Sequence, residues 1–105
     1  MYVTVDPDGE PVVALAEPED CKRFHVAVRG GADAGAVDGA LRAAGAGQLD
    51  GDGEALVLVA AVRAMADGRV GASWDADFAA MLDYAGAKGW VSEDGASIRA
   101  HVERG

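Results

Sequence analysis

The final segment, GWVSEDGASIRAHVERG (residues 89–105), can be interpreted in two ways, and the choice between them decides how the chain folds. As a helix it would begin at Ser92, the N-cap, with Glu93 and Asp94 in a first turn whose dipole favours acids. As a hairpin it would turn at EDG, and the following residues would alternate between two faces of a strand. The cap and the acids favour the helix slightly, and both interpretations stay open. The alternating positions are Ile98, Ala100 and Val102 on one face, and Arg99, His101 and Glu103 on the other.

The first 29 residues contain three β-rich runs. The runs YVTV and PVVAL flank a polar turn, in which Pro7 suits a corner and Gly9 is free to adopt a positive φ. In FHVAV (residues 24–28), large apolar side chains alternate with His25 and Ala27, which is the period of a half-buried strand. The sequence therefore predicts a three-stranded antiparallel meander over residues 2–29.

Three helices are predicted in the middle of the chain, with a second hairpin after the first of them. Asp33 is placed to cap the first helix, which ends at Gly45, and a tight turn within residues 50–53 joins the next two strands. The second helix occupies residues 59–68. Ser73 is placed to cap the third helix, which has one apolar face. That face consists of Trp74, Phe78, Met81, Leu82 and Ala85.

The length and the order of these elements predict a single domain over residues 1–105 with an α+β fold. Because the strands arrive in consecutive pairs, we expect antiparallel hairpins forming a sheet rather than a doubly wound parallel sheet. The three helices would pack on one face of this sheet. The final segment would complete one of its edges.

Negative charge is spread evenly along the chain. There are 18 acidic and 9 basic residues, a net charge of −9, and residues 1–31, 32–70 and 71–105 each carry six acids and three bases. Phosphate backbones and anionic membranes bind clustered lysine and arginine, which this distribution does not offer. The composition therefore excludes nucleic acid and membrane surfaces as partners. It leaves a protein partner, self-association or a small-molecule ligand.

Cysteine content and the first residues bear on the compartment. The single cysteine, Cys21, cannot form an internal disulfide, which fits a reducing environment. The opening MYVTVDPDGEPVV has neither the basic nor the apolar region of a secretory signal. No apolar run approaches the roughly 18 residues of a membrane-spanning helix. We therefore expect a cytoplasmic protein.

No residue pattern identifies a catalytic or metal centre, so neither a cofactor nor a metal is expected. Asp50, Asp52 and Glu54 resemble the opening of a calcium-binding loop. However, Ala55 and Ala61 occupy the positions of the glycine and the bidentate glutamate that such a loop needs. The chain also has neither a Gly-x-Ser-x-Gly motif nor a glycine-rich phosphate loop with lysine.

Four residues are candidates for a ligand-binding or partner-binding site. Trp74 and Trp90 flank the third helix, where a tryptophan usually fills the core. An indole exposed beside Arg99 or His101 would instead suit an interface or a ligand. A flat apolar face would favour association, whereas a concave cleft among these side chains would favour ligand binding.

The third helix, followed by GWVSEDG and an alternating tail, resembles the recognition helix and wing of winged-helix DNA-binding proteins. That helix, however, carries Asp75, Asp77 and Asp83, with a single Lys88. Base readout and phosphate contact both need the opposite charge. A transcription regulator is therefore the least favoured function.

The segments FHVAV, ALRAAGAGQLDG, WDADFAAML and GWVSEDGASIRAHVE resemble small uncharacterised proteins of similar length from high-GC actinobacteria. The richness in alanine, glycine and arginine, with only two lysines, agrees with such a genome. Because that group has no established activity, the resemblance implies no functional residue.

Taken together, these observations predict a small acidic accessory or protein-interaction domain without catalytic activity, forming a homodimer. The alternative is a ligand-binding domain or small enzyme with a cleft near Trp90, Arg99 and His101. The structure distinguishes the two cases. In a ligand-binding domain those three side chains would line a concavity, whereas in an interaction domain they would not.

Overall fold

The computed structural model describes residues 1–51 and 53–104, which form six strands and three helices. The strands are β1 (Tyr2–Val5), β2 (Val13–Ala16), β3 (His25–Val28), β4 (Gly47–Leu49), β5 (Glu54–Leu58) and β6 (Ser97–Arg104). The helices are α1 (Ala34–Ala43), α2 (Val59–Ala66) and α3 (Trp74–Ala87).

All six strands belong to one mixed sheet in the order β2-β1-β3-β6-β5-β4. The β1–β2, β4–β5 and β5–β6 pairs are antiparallel, whereas β1–β3 and β3–β6 are parallel. The α+β class is therefore confirmed, and both predicted hairpins are present. The prediction of a sheet built from antiparallel hairpins alone is wrong.

The predicted meander over residues 2–29 fails at β3, which pairs with β1 in parallel register instead of with β2. Contacts of the N-terminus show why. The Met1 ammonium donates hydrogen bonds to the carbonyl oxygens of Asp20 (2.7 Å) and Arg23 (3.0 Å). These bonds hold the loop before β3 at the beginning of β1, so both strands start at the same end of the sheet.

The final segment is a hairpin and a strand, so the slight preference for a helix was wrong. Ser92 donates its backbone N–H to the carbonyl of Ser97 (2.9 Å), Val91 bridges to Ile98, and Gly95 has φ 73° in the turn. The strand also lies between β3 and β5, in the centre of the sheet and not at its edge. Pairing on both sides outweighs the helix signal of the acids, because each paired edge satisfies backbone donors and acceptors.

The core lies on one face of the sheet. Consecutive strand residues point to opposite faces, and the buried ones share one face. They form a single cluster with apolar side chains of all three helices, so the helices cover that face. The opposite face, here called the uncovered face, carries no helix within residues 1–51 and 53–104. The inward strand residues are Val3, Val5, Val13, Leu15, Val26, Val28, Ala55, Val57, Ile98 and Ala100.

The capping residues predicted from the sequence form a capping bond at one helix and not at the other. Asp33 caps α1 as predicted, since its carboxylate accepts from the Ala36 N–H (2.8 Å), and Gly45 follows with φ 67°. Ser73 precedes α3 but makes no side-chain capping bond. Gly9 does not adopt a positive φ in the first hairpin, and its N–H donates to Asp6 in a turn instead. None of the described helices is long and apolar enough to cross a bilayer.

Candidate functional site

Both histidines of the chain meet on the uncovered face. His25 on β3 and His101 on β6 stack with their ring centroids 5.5 Å apart, and Tyr2 stacks on the other side of His25 at 4.8 Å. Glu103 lies between the two imidazoles, with its carboxylate oxygens 3.2 Å from Nε2 of His25 and 3.0 Å from Nε2 of His101. The hydrogen bond with His101, and then the charge of His25, lower the pKa of Glu103.

This row arises from the sheet register. The pairing of Val26 with Val102 brings position 25 of β3 beside position 101 of β6. Because side chains alternate along a strand, both imidazoles and the Glu103 carboxylate then share one face. The sequence contained no signal for this contact, since β3 and β6 are separated by the whole helical part of the chain.

Arg99 is held by two carboxylates on the same face. Its guanidinium binds Asp50 and lies 3.4 Å from Oε1 of Glu54, so β6 is tied to the β4–β5 hairpin. The hydrogen bond and charge of Asp50 raise the pKa of Arg99. An anionic ligand would have to displace these carboxylates, so Arg99 is poorly placed to bind one.

Trp90, Arg99 and His101 surround a depression of about 180 Å³. Along one edge, the beginning of β6 pairs with the Trp90–Ser92 segment, and the later part of β6 pairs with β3. The carbonyl of Trp90 accepts a hydrogen bond from the Arg99 N–H (2.6 Å), whereas Val102 already pairs with β3. Strand β6 therefore changes its partner near Ala100. The depression opens at this change of partner, with Phe24 and Glu54 completing its wall.

Trp74, the fourth candidate, is separate from these three residues and buried, with 3% of its surface exposed. Its indole N–H donates to the carbonyl of Pro18 (2.6 Å), and its ring stacks on Phe78 at 4.7 Å. The Arg63 guanidinium covers the Phe78 ring at 5.0 Å. Trp74 thus anchors the loop after β2 to α3 from within the core.

Sequence reasoning missed a groove of about 540 Å³ between α3 and the loop that precedes β3. One wall is formed by α3, the other by the loop. The helical wall was detectable, because its members are spaced i, i+3, i+4 and i+7. Met81 had been assigned to the core face, where it is only half-buried. We call this feature the acidic groove, lined by Glu19, Asp20, Cys21 and Lys22 of the loop and Asp77, Ala80, Met81 and Tyr84 of α3.

Two exposed aromatic side chains continue from the end of this groove. Tyr84 is 60% exposed and Trp90 is 45% exposed, and their rings meet edge to face at 6.1 Å. Lys88 lies over the Tyr84 ring at 5.6 Å. Exposed aromatic rings in contact with one another are typical of binding surfaces, because they offer large apolar area at little entropic cost.

Cys21 is the free thiol of the acidic groove, and its surroundings disfavour the thiolate. Burial, followed by the negative charge of Asp77, raises the pKa of the Cys21 thiol. A nucleophilic cysteine needs the opposite environment, with a nearby positive charge or a helix N-terminus that stabilises the thiolate. The groove is therefore better suited to binding than to covalent chemistry.

The described residues contain no group of three or more His, Cys, Asp or Glu side chains placed to hold a metal ion. Asp50 and Glu54, which opened the apparent calcium motif, both engage Arg99. Asp52, the residue between them in that motif, lies outside the described residues. The chain matches no protein-family model, no curated protein and no solved structure.

Proposed function

We propose that this chain is a small non-catalytic interaction domain that self-associates as a homodimer through the uncovered face of its sheet. The observation that supports the proposal is the composition of the half formed by β2, β1 and β3. Its outward side chains include no carboxylate, ammonium or guanidinium group, and each is partly exposed. We call this surface the uncharged half, made of Tyr2, Thr4, Ala14, Ala16, His25 and Ala27.

Charge makes this half the best contact surface between two copies. Each chain has a net charge of −9, so two copies repel one another, and a contact that avoids carboxylates adds least to this repulsion. The other half of the uncovered face carries Asp50, Glu54 and Glu103 beside Arg99. The uncharged half meets these groups only at its border, where His25 contacts Glu103, and its alanines permit the close approach of a second sheet.

Sedimentation velocity over a series of protein concentrations tests the proposal. The wild type should shift from monomer to dimer, and added salt should strengthen the dimer by screening the repulsion between two acidic chains. Ala14→Glu would bury a carboxylate in the contact and should weaken the dimer about 10-fold or more. Ala79→Glu introduces the same change on the exposed side of α3 and should leave association unaltered.

Three outcomes would count against the dimer. These are a wild type that stays monomeric at every concentration, an equal effect of both substitutions, and dissociation by salt. Circular dichroism of each variant shows whether Ala14→Glu still folds, so a loss of the dimer can be assigned to the interface. A cytoplasmic location is part of the same proposal, supported by the single free thiol of Cys21.

A second candidate function is binding of a small ligand in the depression beside Trp90. Three of the four residues that the sequence suggested lie together there, which is the observation in its favour. A thermal-shift screen of metabolites tests it with wild type, His101→Ala and Arg99→Ala, and Arg42→Ala is the control because it breaks an ion pair elsewhere. A hit that both site variants lose and Arg42→Ala keeps would support ligand binding. A screen without any hit would contradict it.

A further inference from the structure

Helix α3 has apolar side chains on more than one side. Trp74, Phe78 and Ala85 face the core. A second stripe, which includes Ala80, Met81 and Tyr84, borders the acidic groove and is exposed or half-buried. A helix with apolar residues on most sides is normally enclosed by packing partners. The described chain encloses the core side fully but borders the second stripe only with the loop wall of the groove, so the stripe is open to another element.

The other wall of the groove is held in place without a ligand. Pro18 accepts from the Trp74 indole (2.6 Å), and the Glu19 carboxylate accepts from the Gly71 N–H (2.8 Å). Asp20 accepts from the Met1 ammonium through its carbonyl and from the Lys22 N–H through its carboxylate (3.0 Å). Three of these bonds join the loop to Trp74 of α3, to Gly71 just before α3 and to the N-terminus, and the fourth lies within the loop. The groove is therefore preformed and a partner need not order it.

Shape and charge both limit what fits the groove. The stripe from Asp77 to Tyr84 extends over two helical turns, about 10 Å, and presents the i, i+3, i+4, i+7 spacing on which a second helix packs. The small side chain of Ala80 allows close approach. The walls carry the carboxylates of Glu19, Asp20 and Asp77 and one ammonium, that of Lys22, so the groove has two net negative charges.

We propose that the acidic groove binds a basic amphipathic helix of a protein partner. Its apolar side would lie on Met81 and Ala80 and reach the exposed Tyr84–Trp90 pair, and its lysine or arginine side chains would face the carboxylates of both walls. A second copy of this chain does not suit the groove, because its own α3 would bring Asp77 against Asp77. The inference goes beyond the proposed dimer, whose contact lies on the opposite side of the sheet.

Fluorescence anisotropy of labelled synthetic peptides tests this inference with the whole folded chain described here. The probe is a helical peptide of leucine and lysine with the two residues segregated to opposite faces. Two comparison peptides are a sequence-scrambled version of it and a version with glutamate in place of lysine. The segregated lysine peptide should bind, both comparison peptides should bind at least about 10-fold more weakly, and added salt should weaken binding.

Charge reversal locates the binding site. Asp77→Lys should weaken binding of the segregated lysine peptide by about 10-fold or more, whereas Asp83→Lys makes the same change on α3 outside the groove lining and should alter it less than about 3-fold. Tyr84→Ala, at a side chain 60% exposed, should weaken it about 5-fold or more without loss of folding.

Equal binding of the scrambled peptide, or equal weakening by Asp77→Lys and Asp83→Lys, would overturn the inference, because either result means that only the net charge matters. No binding of any peptide by the folded wild type would also overturn it. Sedimentation of Asp77→Lys separates the two proposals. If the dimer forms through the uncharged half, it should persist in this variant whether or not the variant still binds the peptide.

Discussion

Val102 of β6 pairs in parallel register with Val26 of β3, and this pairing places the last strand of the chain in the middle of the sheet. On its other side β6 pairs with β5 over five residue pairs, from Glu54–His101 to Leu58–Ser97. The strand therefore joins the β2-β1-β3 half of the sheet to the β5-β4 half. Its removal would separate the two halves.

Truncation after Ser92 should abolish cooperative folding, because it deletes this central strand and exposes the backbone edges of β3 and β5. Circular dichroism during thermal unfolding measures the effect. A milder variant, Ile98→Ala, should lose about 2–5 kcal/mol of unfolding free energy, since the side chain is 3% exposed in the core. A truncated chain that still melts cooperatively would show that β6 is dispensable.

Phe78→Ala should destabilise the fold by about 3–5 kcal/mol, the usual loss on deleting a buried aromatic side chain. The ring is fully buried, stacked on Trp74 and covered by Arg63. Urea denaturation measures the change. Tyr84→Ala on the exposed side of the same helix is the control and should shift stability by about 0.5 kcal/mol at most. A loss below about 1 kcal/mol for Phe78→Ala would contradict its place in the core.

Two glycine-to-alanine substitutions should change the free energy of unfolding in opposite directions. Gly47 has φ 151°, and a Cβ there would overlap the carbonyl oxygen of Leu56 on the paired strand, so Gly47→Ala should cost about 2–3 kcal/mol. Gly39 lies inside α1, where a Cβ would meet no heavy atom of the described residues within 4 Å. Gly39→Ala should therefore stabilise the protein by about 0.5–1 kcal/mol. Chemical denaturation compares the two, and a stabilising Gly47→Ala would show that β4 and β5 are less closely paired.

Asp38 should make the stability of the folded chain depend on pH in the acidic range. Hydrogen bonds from the Leu49 N–H (2.9 Å) and then from Arg42 (2.8 Å) lower the pKa of Asp38 in the folded chain. The Asp38 carboxylate therefore contributes fully to the free energy of unfolding above the pKa that it has in the unfolded chain. This contribution is lost as the pH falls through the lower pKa that it has in the folded chain. Asp38→Asn should lower the melting temperature at neutral pH, and the difference from wild type should shrink as the pH falls through the folded-state pKa of Asp38.

The exposed Asp83 provides the control for this titration. Asp83→Asn should leave the melting temperature close to that of the wild type over the same pH series, because the Asp83 carboxylate does not accept the Leu49 N–H and Arg42 hydrogen bonds that hold Asp38. A difference between wild type and Asp38→Asn that stays constant with pH would mean that the Asp38 charge does not contribute, and that the substitution acts through packing alone.

The helices were predictable from sequence because their signals are local. The Asp33 cap, the glycine stops at Gly45 and Gly68, and the apolar spacing around Phe78 all act within a few residues. The two hairpins were predictable for the same reason, since each is closed by its own turn.

Strand order was not predictable, because it depends on contacts between distant residues. Alternation in FHVAV identified β3 as a strand with one buried face, but nothing in that pattern specified β1 as its partner or a parallel direction. The final segment carried a cap signal and an alternation signal of similar strength, and tertiary pairing on both edges of β6 decided between them. Local propensity is too weak to resist two rows of backbone hydrogen bonds.

By itself, the sequence determined the elements that precede the final segment, the acidic charge and the α+β class of this protein, because composition and short-range periodicity carry that information. Tertiary structure alone decided which side chains meet. It brought His25 to His101 and Glu103, separated Trp74 from Trp90, and closed the acidic groove between α3 and the loop before β3. The physical reason is that each outcome depends on residues far apart in the chain. The histidine contact depends on the register of β3 and β6, Trp74 is held by the Pro18 carbonyl, and the Met1 ammonium binds the loop of the groove at carbonyl groups some twenty residues away.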